Sequence, residues 1–368
     1  MKNNIEIKRN NTSKITPLKG LLIGPLPISG DVCGGAKVSF AQMKSHLSLQ
    51  SNISWEVVNT ARPFIRYGIL FRGVLNGLTF LKVLLEIIYK ARSKRIVVVN
   101  ISTNGVKTVG VAVWLITKLY GLPLAVRVFG GNFGEYYDNL SPTLRYLINN
   151  TIIKADLLLL QTKGLCKKFS NSRVSWLPTS REMSRSLNIK KACKSAVFLG
   201  HIRQDKGVNE LLEAARQMEY MKFDLYGAQN NGFDLTKKGI LPQNVKYNGV
   251  VSYKDLSTVL DKADVLVLPT YYQGEGYPGV IIEAFQAGIP VIVSRWKAIP
   301  EIVHNEVNGL LVEPGNAMDL TRTLKRLYSE PDLYQRLSIG AMESGETFRA
   351  KNVYKELNKV LSNLLKEK

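Results

Sequence analysis

Cysteine is scarce in this chain: Cys33, Cys166 and Cys193 are scattered, odd in number and without a metal-spaced pair. That argues against a disulfide framework and for a reducing, cytoplasmic setting. No uninterrupted apolar run of about 18 residues occurs, so no membrane-spanning helix is expected. The stretch from Met1 to Lys19 is polar, rich in Lys and Asn, and lacks the apolar core of a secretory signal. Low-complexity tracts, internal repeats and a nucleic-acid-binding signature are missing too. Acid is short in one half only. Residues 1–180 hold 24 Lys and Arg against 7 Asp and Glu, whereas residues 181–368 hold 26 against 22. A uniformly basic protein would suit nucleic acid; one basic half beside a nearly neutral half suits two domains with different partners.

Apolar runs of strand length alternate with helical stretches. Leu21–Gly24, Ile96–Ile101, Leu124–Phe129 and Asp156–Leu160 are short and apolar without alternation, as buried parallel strands are. Helices are expected near Lys37–Leu49, Lys107–Tyr120 and Thr143–Ile153, the last opened by the Ser141-Pro142 cap. A polar stretch at about Trp176–Ala192 reads as the interdomain linker. Alternation then restarts with strands Ala196–Leu199, Lys222–Tyr226 and Val245–Tyr247, around helices Val208–Met218 and Lys254–Lys262. Helices near Ala317–Ser329, Leu333–Glu343 and Asn352–Leu365 close the chain. Two blocks of βαβ units imply an α/β protein of two doubly wound, Rossmann-like domains facing a cleft. The expected division is 1–180, 181–350, and a final helix over 351–368 that packs back on the first domain.

The most informative segment runs from strand Asp264–Thr270 through Gly274-Glu275-Gly276-Tyr277-Pro278-Gly279-Val280 into an apolar helix carrying Glu283, then to strand Val291–Val293. Strand, glycine-rich loop and helix place a helix N-terminus at a sheet's carboxyl edge, a seat for a phosphate-bearing ligand with two carboxylates beside it. The strand ending at Gly200 leads into a loop with Arg203 and Lys206, suited to a diphosphate. Taken alone, these could be two solvated loop cations and a chance pair of glutamates eight apart.

Five motifs in order make the match specific: Leu199-Gly200 with Lys206-Gly207, Asp264-Val265 with Pro269, Glu275 with Glu283-Ala284, Ala287-Gly288 with Pro290-Val291, and Asn308-Gly309-Leu310-Leu311-Val312. Over about Ser195–Gly315 the chain resembles the retaining, nucleotide-sugar-dependent family 4 glycosyltransferases of GT-B fold, of the bacterial surface-polysaccharide type. The resemblance implies that Glu283 accepts hydrogen bonds from the ribose hydroxyls. It implies that Glu275 lies near the donor sugar and the reacting centre, and that Arg203 and Lys206 hold the diphosphate. Gly34, Gly35, Gly200, Gly227, Val250, Tyr277, Pro278, Gly279 and Val280 complete the implied donor site, and the catalytic set is Glu275, Arg203 and Lys206. Two positions depart from the family pattern: His201 stands where many members have arginine, and Arg127-Val128-Phe129-Gly130-Gly131-Asn132 stands where many have a His-Gly.

Ser102, Asn104, Arg127, Gly130 and Asn132 fall at first-domain strand ends and are candidate acceptor contacts, or loop caps. No Asp-x-Asp pair suited to a metal–diphosphate complex is present. Metal-independent neutralisation by Arg203, Lys206 and a helix dipole is therefore expected, with no cofactor beyond the donor, UDP-linked by family habit. Residues 62–95 hold eight Lys and Arg with one acid, Glu86, interleaved with Leu and Phe. Such a stretch suits an anionic membrane surface, and its bland alternative is a core helix with a solvated face. The expected protein is a hexosyltransferase-like enzyme on the cytoplasmic membrane face that extends a lipid-linked glycan of lipopolysaccharide or capsule, with no nucleic-acid partner. A GT-B epimerase or hydrolase on a soluble substrate, and a non-catalytic basic binding protein, are the alternatives.

Overall fold

The computed structural model describes residues 18–27, 35–50, 52–61, 69–182, 190–229, 234–235 and 241–367. Gly34 and the Arg62–Tyr67 start of the basic segment lie outside these residues.

The first domain runs β1 (Leu18–Gly24), α1 (Gly35–Gln50), β2 (Ile53–Asn59), α2 (Ile69–Ala91), β3 (Ile96–Ser102), α3 (Val111–Leu119), β4 (Leu124–Phe129), α4 (Phe133–Asp138), α5 (Pro142–Asn150), β5 (Leu157–Leu160), α6 (Lys163–Lys168) and β6 (Val174–Trp176). Its six strands are all parallel, in the order β2-β1-β3-β4-β5-β6. The central strands are buried on both faces, which is why they read as mostly Val, Leu and Ile, broken by buried Asn100 in β3 and Arg127 in β4. β2 was not anticipated. It is an edge strand with alternating burial, and Glu56 and Ser54 interrupt its apolar residues. The helix expected from Lys107 begins as a π-helical turn, Val106–Gly110, before α3.

The second domain follows as β7 (Ser195–Leu199), α7 (Val208–Arg216), β8 (Lys222–Tyr226), β9 (Val245–Tyr247), α8 (Leu256–Lys262), β10 (Val265–Leu268), α9 (Gly279–Gln286), β11 (Val291–Ser294), β12 (Gly309–Val312), α10 (Ala317–Ser329) and α11 (Pro331–Thr347). Its parallel order is β12-β11-β10-β7-β8-β9. Gly288, at φ 71°, ends α9 in a left-handed turn that sends the chain straight into β11.

α12 (Ala350–Lys366) leaves the second domain. Its apolar side, Ala350, Val353, Tyr354, Leu357, Leu361 and Leu364, packs with Leu22, Phe40, Met43 and Leu47 in one core cluster of the first domain. The chain thus crosses between domains twice. The two crossings meet where Arg181 N–H donates to Phe348 O (3.1 Å) and Ala350 N–H donates to Arg181 O (2.8 Å).

Truncating Leu361 leaves a cavity between α12 and α1. Leu361→Ala is expected to lower the unfolding free energy by about 2–5 kcal/mol, read as a fall in the urea midpoint at unchanged slope. A loss below ~0.5 kcal/mol would show that α12 contributes no core.

Candidate active site

In each sheet, neighbouring strands whose connections leave in opposite directions open a crevice at their carboxyl ends. In the second domain that point lies between β7 and β10, and the loops following these strands carry Arg203, Lys206 and Glu275. Residues 69 apart in sequence meet there: Lys206 Nζ forms a close ion pair with the Glu275 carboxylate. The same carboxylate oxygen accepts from Thr270 Oγ1 at 2.9 Å. Glu275 is buried, so the pair is shielded from water and its geometry is fixed. Arg203 pairs with Asp205, and both cations lie over the Tyr272 ring, at 4.9 and 4.7 Å from its centroid. Beside them, burial and then the charges of Lys206 and Arg203 hold the His201 pKa below the ordinary 6.5. His201 therefore carries less positive charge than an unperturbed histidine would, and no arginine stands at that position.

α9 opens at Gly279 behind Pro278 with no side-chain cap; Ile281 N–H donates to Pro278 O (3.2 Å), so the first-turn amides left for a ligand are those of Gly279 and Val280. Glu283 lies one turn further in, buried, with Oε1 2.6 Å from Arg181 Nε. Gly200 N–H donates to Tyr226 O (3.1 Å) and Gly227 N–H to Gly249 O (2.8 Å), which joins the ends of β7 and β8 to the loop beyond β9. Val250 stands exposed just past that loop.

From the first domain, Gly35 begins α1, and Ser102 and Asn104 are exposed after β3. Gly130 and Asn132 follow β4, and Asn132 Oδ1 accepts from Thr103 Oγ1 at 3.0 Å. The cleft is closed at this point. A Cβ on Gly131 would stand 2.1 Å from Glu275 O, so no residue with a side chain fits this approach of the two loops.

Two sequence expectations are corrected. Arg127 does not face the acceptor side. It is 1% exposed, on the face of β4 that Ala125 shares with the α1–α12 core. Among the described residues none of its guanidinium nitrogens has a hydrogen-bond partner. Burial pushes its pKa down, Tyr354 opposes the fall, and the charge of Arg181 adds to it. Strand alternation explains the miss, because a one-residue offset decides which face a side chain takes. Tyr277 does not offer its side chain to the donor. Its hydroxyl donates to Glu301 Oε2 at 2.5 Å, its ring packs edge-on against Phe348, and burial raises its pKa. Glu301 in turn accepts from the amides of Lys163 (2.7 Å) and Gly164 (3.1 Å) at the start of α6, which makes Tyr277 part of a strap between domains.

Arg181 was missed by sequence reasoning. It falls in the polar crossing segment, and nothing in its spacing sets it apart from neighbouring Ser and Lys. Lys297, which reaches Glu135 across the cleft at 2.7 Å, was missed for the same reason.

Residues 179–343 match the family model described as Glycosyl transferases group 1. Among curated relatives, the amylovoran biosynthesis glycosyltransferase AmsK of Erwinia amylovora is 30% identical over 131 residues, 34% of this chain and 32% of that protein. N,N'-diacetylbacillosaminyl-diphospho-undecaprenol alpha-1,3-N-acetylgalactosaminyltransferase of Campylobacter jejuni is 27% identical over 186 residues, 49% of this chain and 48% of that protein. The matched region spans from about a third to half the length of these relatives. Solved structures align over nearly the whole chain. Sucrose-phosphate synthase of Thermosynechococcus elongatus has TM-score 0.74 at 17% identity, covering 95% of this chain and all of that one. Anabaena HepE in complex with UDP has TM-score 0.71 at 16% identity, covering 94% and all. At such identities these structures speak for the fold alone.

An anion bound at Arg203 and Lys206 neutralises two of the charges that depress His201. The His201 imidazole, followed by NMR, is expected to titrate below 6.5 in the free protein and higher with UDP bound. A midpoint unmoved by saturating UDP would place the diphosphate elsewhere. Residues 179–343 are thus similar to the group 1 glycosyltransferases, and the chain as a whole shares the two-sheet GT-B fold of the structures it aligns with.

Proposed function

We propose that this protein is a retaining family 4 glycosyltransferase that moves a hexose-like sugar from a UDP-linked donor to a hydroxyl of a lipid-linked glycan in surface-polysaccharide assembly. The observation that carries the reading is the meeting of Lys206, Glu275 and Arg203 at the switch point of the second sheet, where α9 begins without a side-chain cap. The HepE structure with UDP-glucose favours a uridine donor, and the diphospho-undecaprenol in the Campylobacter relative's name favours a lipid-linked acceptor.

The chemistry follows from the charges. Arg203, Lys206 and the α9 dipole bind the donor diphosphate and take up the charge that grows on it as the bond from the anomeric carbon to the phosphate oxygen breaks. The sugar passes through an oxocarbenium-like state. The acceptor oxygen attacks from the face the diphosphate leaves, and its proton goes to the departing phosphate oxygen. Glu275, positioned by Lys206 and Thr270, holds the sugar's hydroxyls. The Gly131–Glu275 closure excludes water and keeps donor and acceptor in register.

Membrane attachment is part of the reading. α2 buries Ile87 and packs Val83, Leu84 and Ile88 on the core, yet Leu78, Leu81, Leu85 and Tyr89 are each more than half exposed on its outer side. Leu115 and Leu119 of α3 are also exposed. An open leucine stripe in a half of the chain with a surplus of 17 positive charges is complementary to an anionic lipid surface. No helix among the described residues is long and apolar enough to cross a membrane, so the attachment proposed is peripheral, on the cytoplasmic face.

A thermal-shift panel of nucleoside diphosphates, run without metal and again with chelator, tests the donor site. UDP at about 100 times its Kd is expected to add roughly 2.7 kcal/mol of stability, unaffected by chelator and reduced in Arg203→Ala and Lys206→Ala. No shift with any nucleotide would refute the donor assignment. Separately, pelleting with phosphatidylglycerol vesicles is expected to fall in Leu81→Asp/Leu85→Asp and in high salt. Equal pelleting by variant and wild type would remove the stripe from the membrane contact.

A further inference from the structure

Arg181 lies where both domains and both crossings converge. Its side chain is 5% exposed. Nε bonds Glu283 of the second domain, and Nη1 donates to Ser39 Oγ of the first (3.2 Å) and to Ser180 O (2.9 Å). Nη2 lies between two helix starts. It is 2.0 Å from where a Cβ on Gly279 would stand and 3.8 Å from where one on Gly35 would stand. The backbone of Arg181 is pinned as well, by Phe348, Ala350 and Gln286 Nε2 (2.8 Å).

This is an unusual seat for a cation. Helix N-termini carry partial positive charge and attract anions, and two of them flank this guanidinium. A second guanidinium, that of Arg127, is buried nearby without a hydrogen-bond partner among the described residues, and the charge of Arg181 is felt there. Against two guanidinium charges and two helix N-termini, Glu283 supplies the one carboxylate among the described residues that pairs with Arg181. The arrangement favours a further anion, and a nucleoside diphosphate lying on the α9 N-terminus would bring its phosphates to the Nη2 side of Arg181.

We propose that Arg181 is a donor-binding residue that changes partners. On nucleotide binding its guanidinium turns from Glu283 to the donor's diphosphate, and the freed Glu283 carboxylate accepts the ribose hydroxyls. The inference rests on the donor site proposed above and deepens it: while Arg181 Nε holds Oε1 of Glu283, that carboxylate has fewer acceptor sites open to the ribose. Because the Arg181 backbone joins both crossings, the exchange takes place at the hinge, so a grip on the donor and closure of the domains draw on the same residue.

The test compares UDP binding by calorimetry across a salt series in wild type, Arg181→Lys, Arg181→Met and the charge-balanced Arg181→Met/Glu283→Gln. Loss of one ionic contact to phosphate is expected to raise the Kd of Arg181→Met by about tenfold or more and to flatten its salt dependence. Arg181→Lys, which keeps the charge but not the fork, is expected to weaken binding while keeping the wild-type salt slope. Should Arg181→Met fail to fold, the lysine variant and the charge-balanced pair carry the measurement. Wild-type affinity in both, or a weakening with no change of salt slope in the charge-balanced pair, would overturn the exchange. Absence of UDP binding by wild type itself would instead overturn the donor site on which the inference stands.

Discussion

The buried pair of Arg181 and Glu283 is the contact on which the two-domain arrangement turns. It joins the crossing segment to α9, reaches Ser39 of α1, and sits on the backbone bonds that tie the two crossings together. Desolvating two charges costs several kcal/mol, and a buried ion pair returns little net stability for it. What such a pair supplies is position: each partner is held to one geometry because any other leaves a buried charge unmatched. Here that geometry sets α1 and α9 with their N-termini toward a common point. The Lys206–Glu275 pair repeats the principle closer to the proposed reacting centre, with Thr270 fixing the carboxylate. Straps at Glu301 and Lys297 hold the remaining edges of the cleft.

Much of this was legible in the sequence, for a physical reason. Strands buried on both faces are mostly apolar, so β1, β3, β4, β5, β7 and β10 could be read directly even with Asn100 and Arg127 among them. The loop-and-helix segment from Asp264 to Phe285 could be read because glycine, proline and the apolar helix start follow local rules. Long-range partnership is what local rules do not carry. Arg181 looks like any solvated arginine in a polar stretch, and its importance comes from residues 102 and 142 positions away that only the fold brings near. Arg127 and Tyr277 failed for the converse reason. They lie close in sequence to the expected site, but their side chains take the opposite direction, one into the core and one into the strap.

The charge asymmetry also takes on a structural meaning. In the second domain the cations at the proposed site are engaged: Arg203 by Asp205 and Lys206 by Glu275. The first half has few acids to pair with its cations, and among the described residues Lys82 of α2 and Lys118 of α3 are exposed on the helices that carry the open leucines. On the function proposed above, two surfaces of one protein would use positive charge differently: one arranged by neighbouring acids to receive a small polyanion, the other left unbalanced toward an extended negative surface.

The final helix has a consequence for how the molecule comes into being. Because Ala350, Tyr354, Leu361 and Leu364 complete a core whose other members come from α1 and the first sheet, the N-terminal domain cannot close when its own segment leaves the ribosome. It must wait, with Phe40, Met43 and Leu47 uncovered, while the whole second domain is synthesised, about 10–35 seconds at 5–20 residues per second. Translation that stops short of α12 would therefore leave an apolar face exposed on an otherwise assembled domain, marking an interrupted chain for chaperones and proteases.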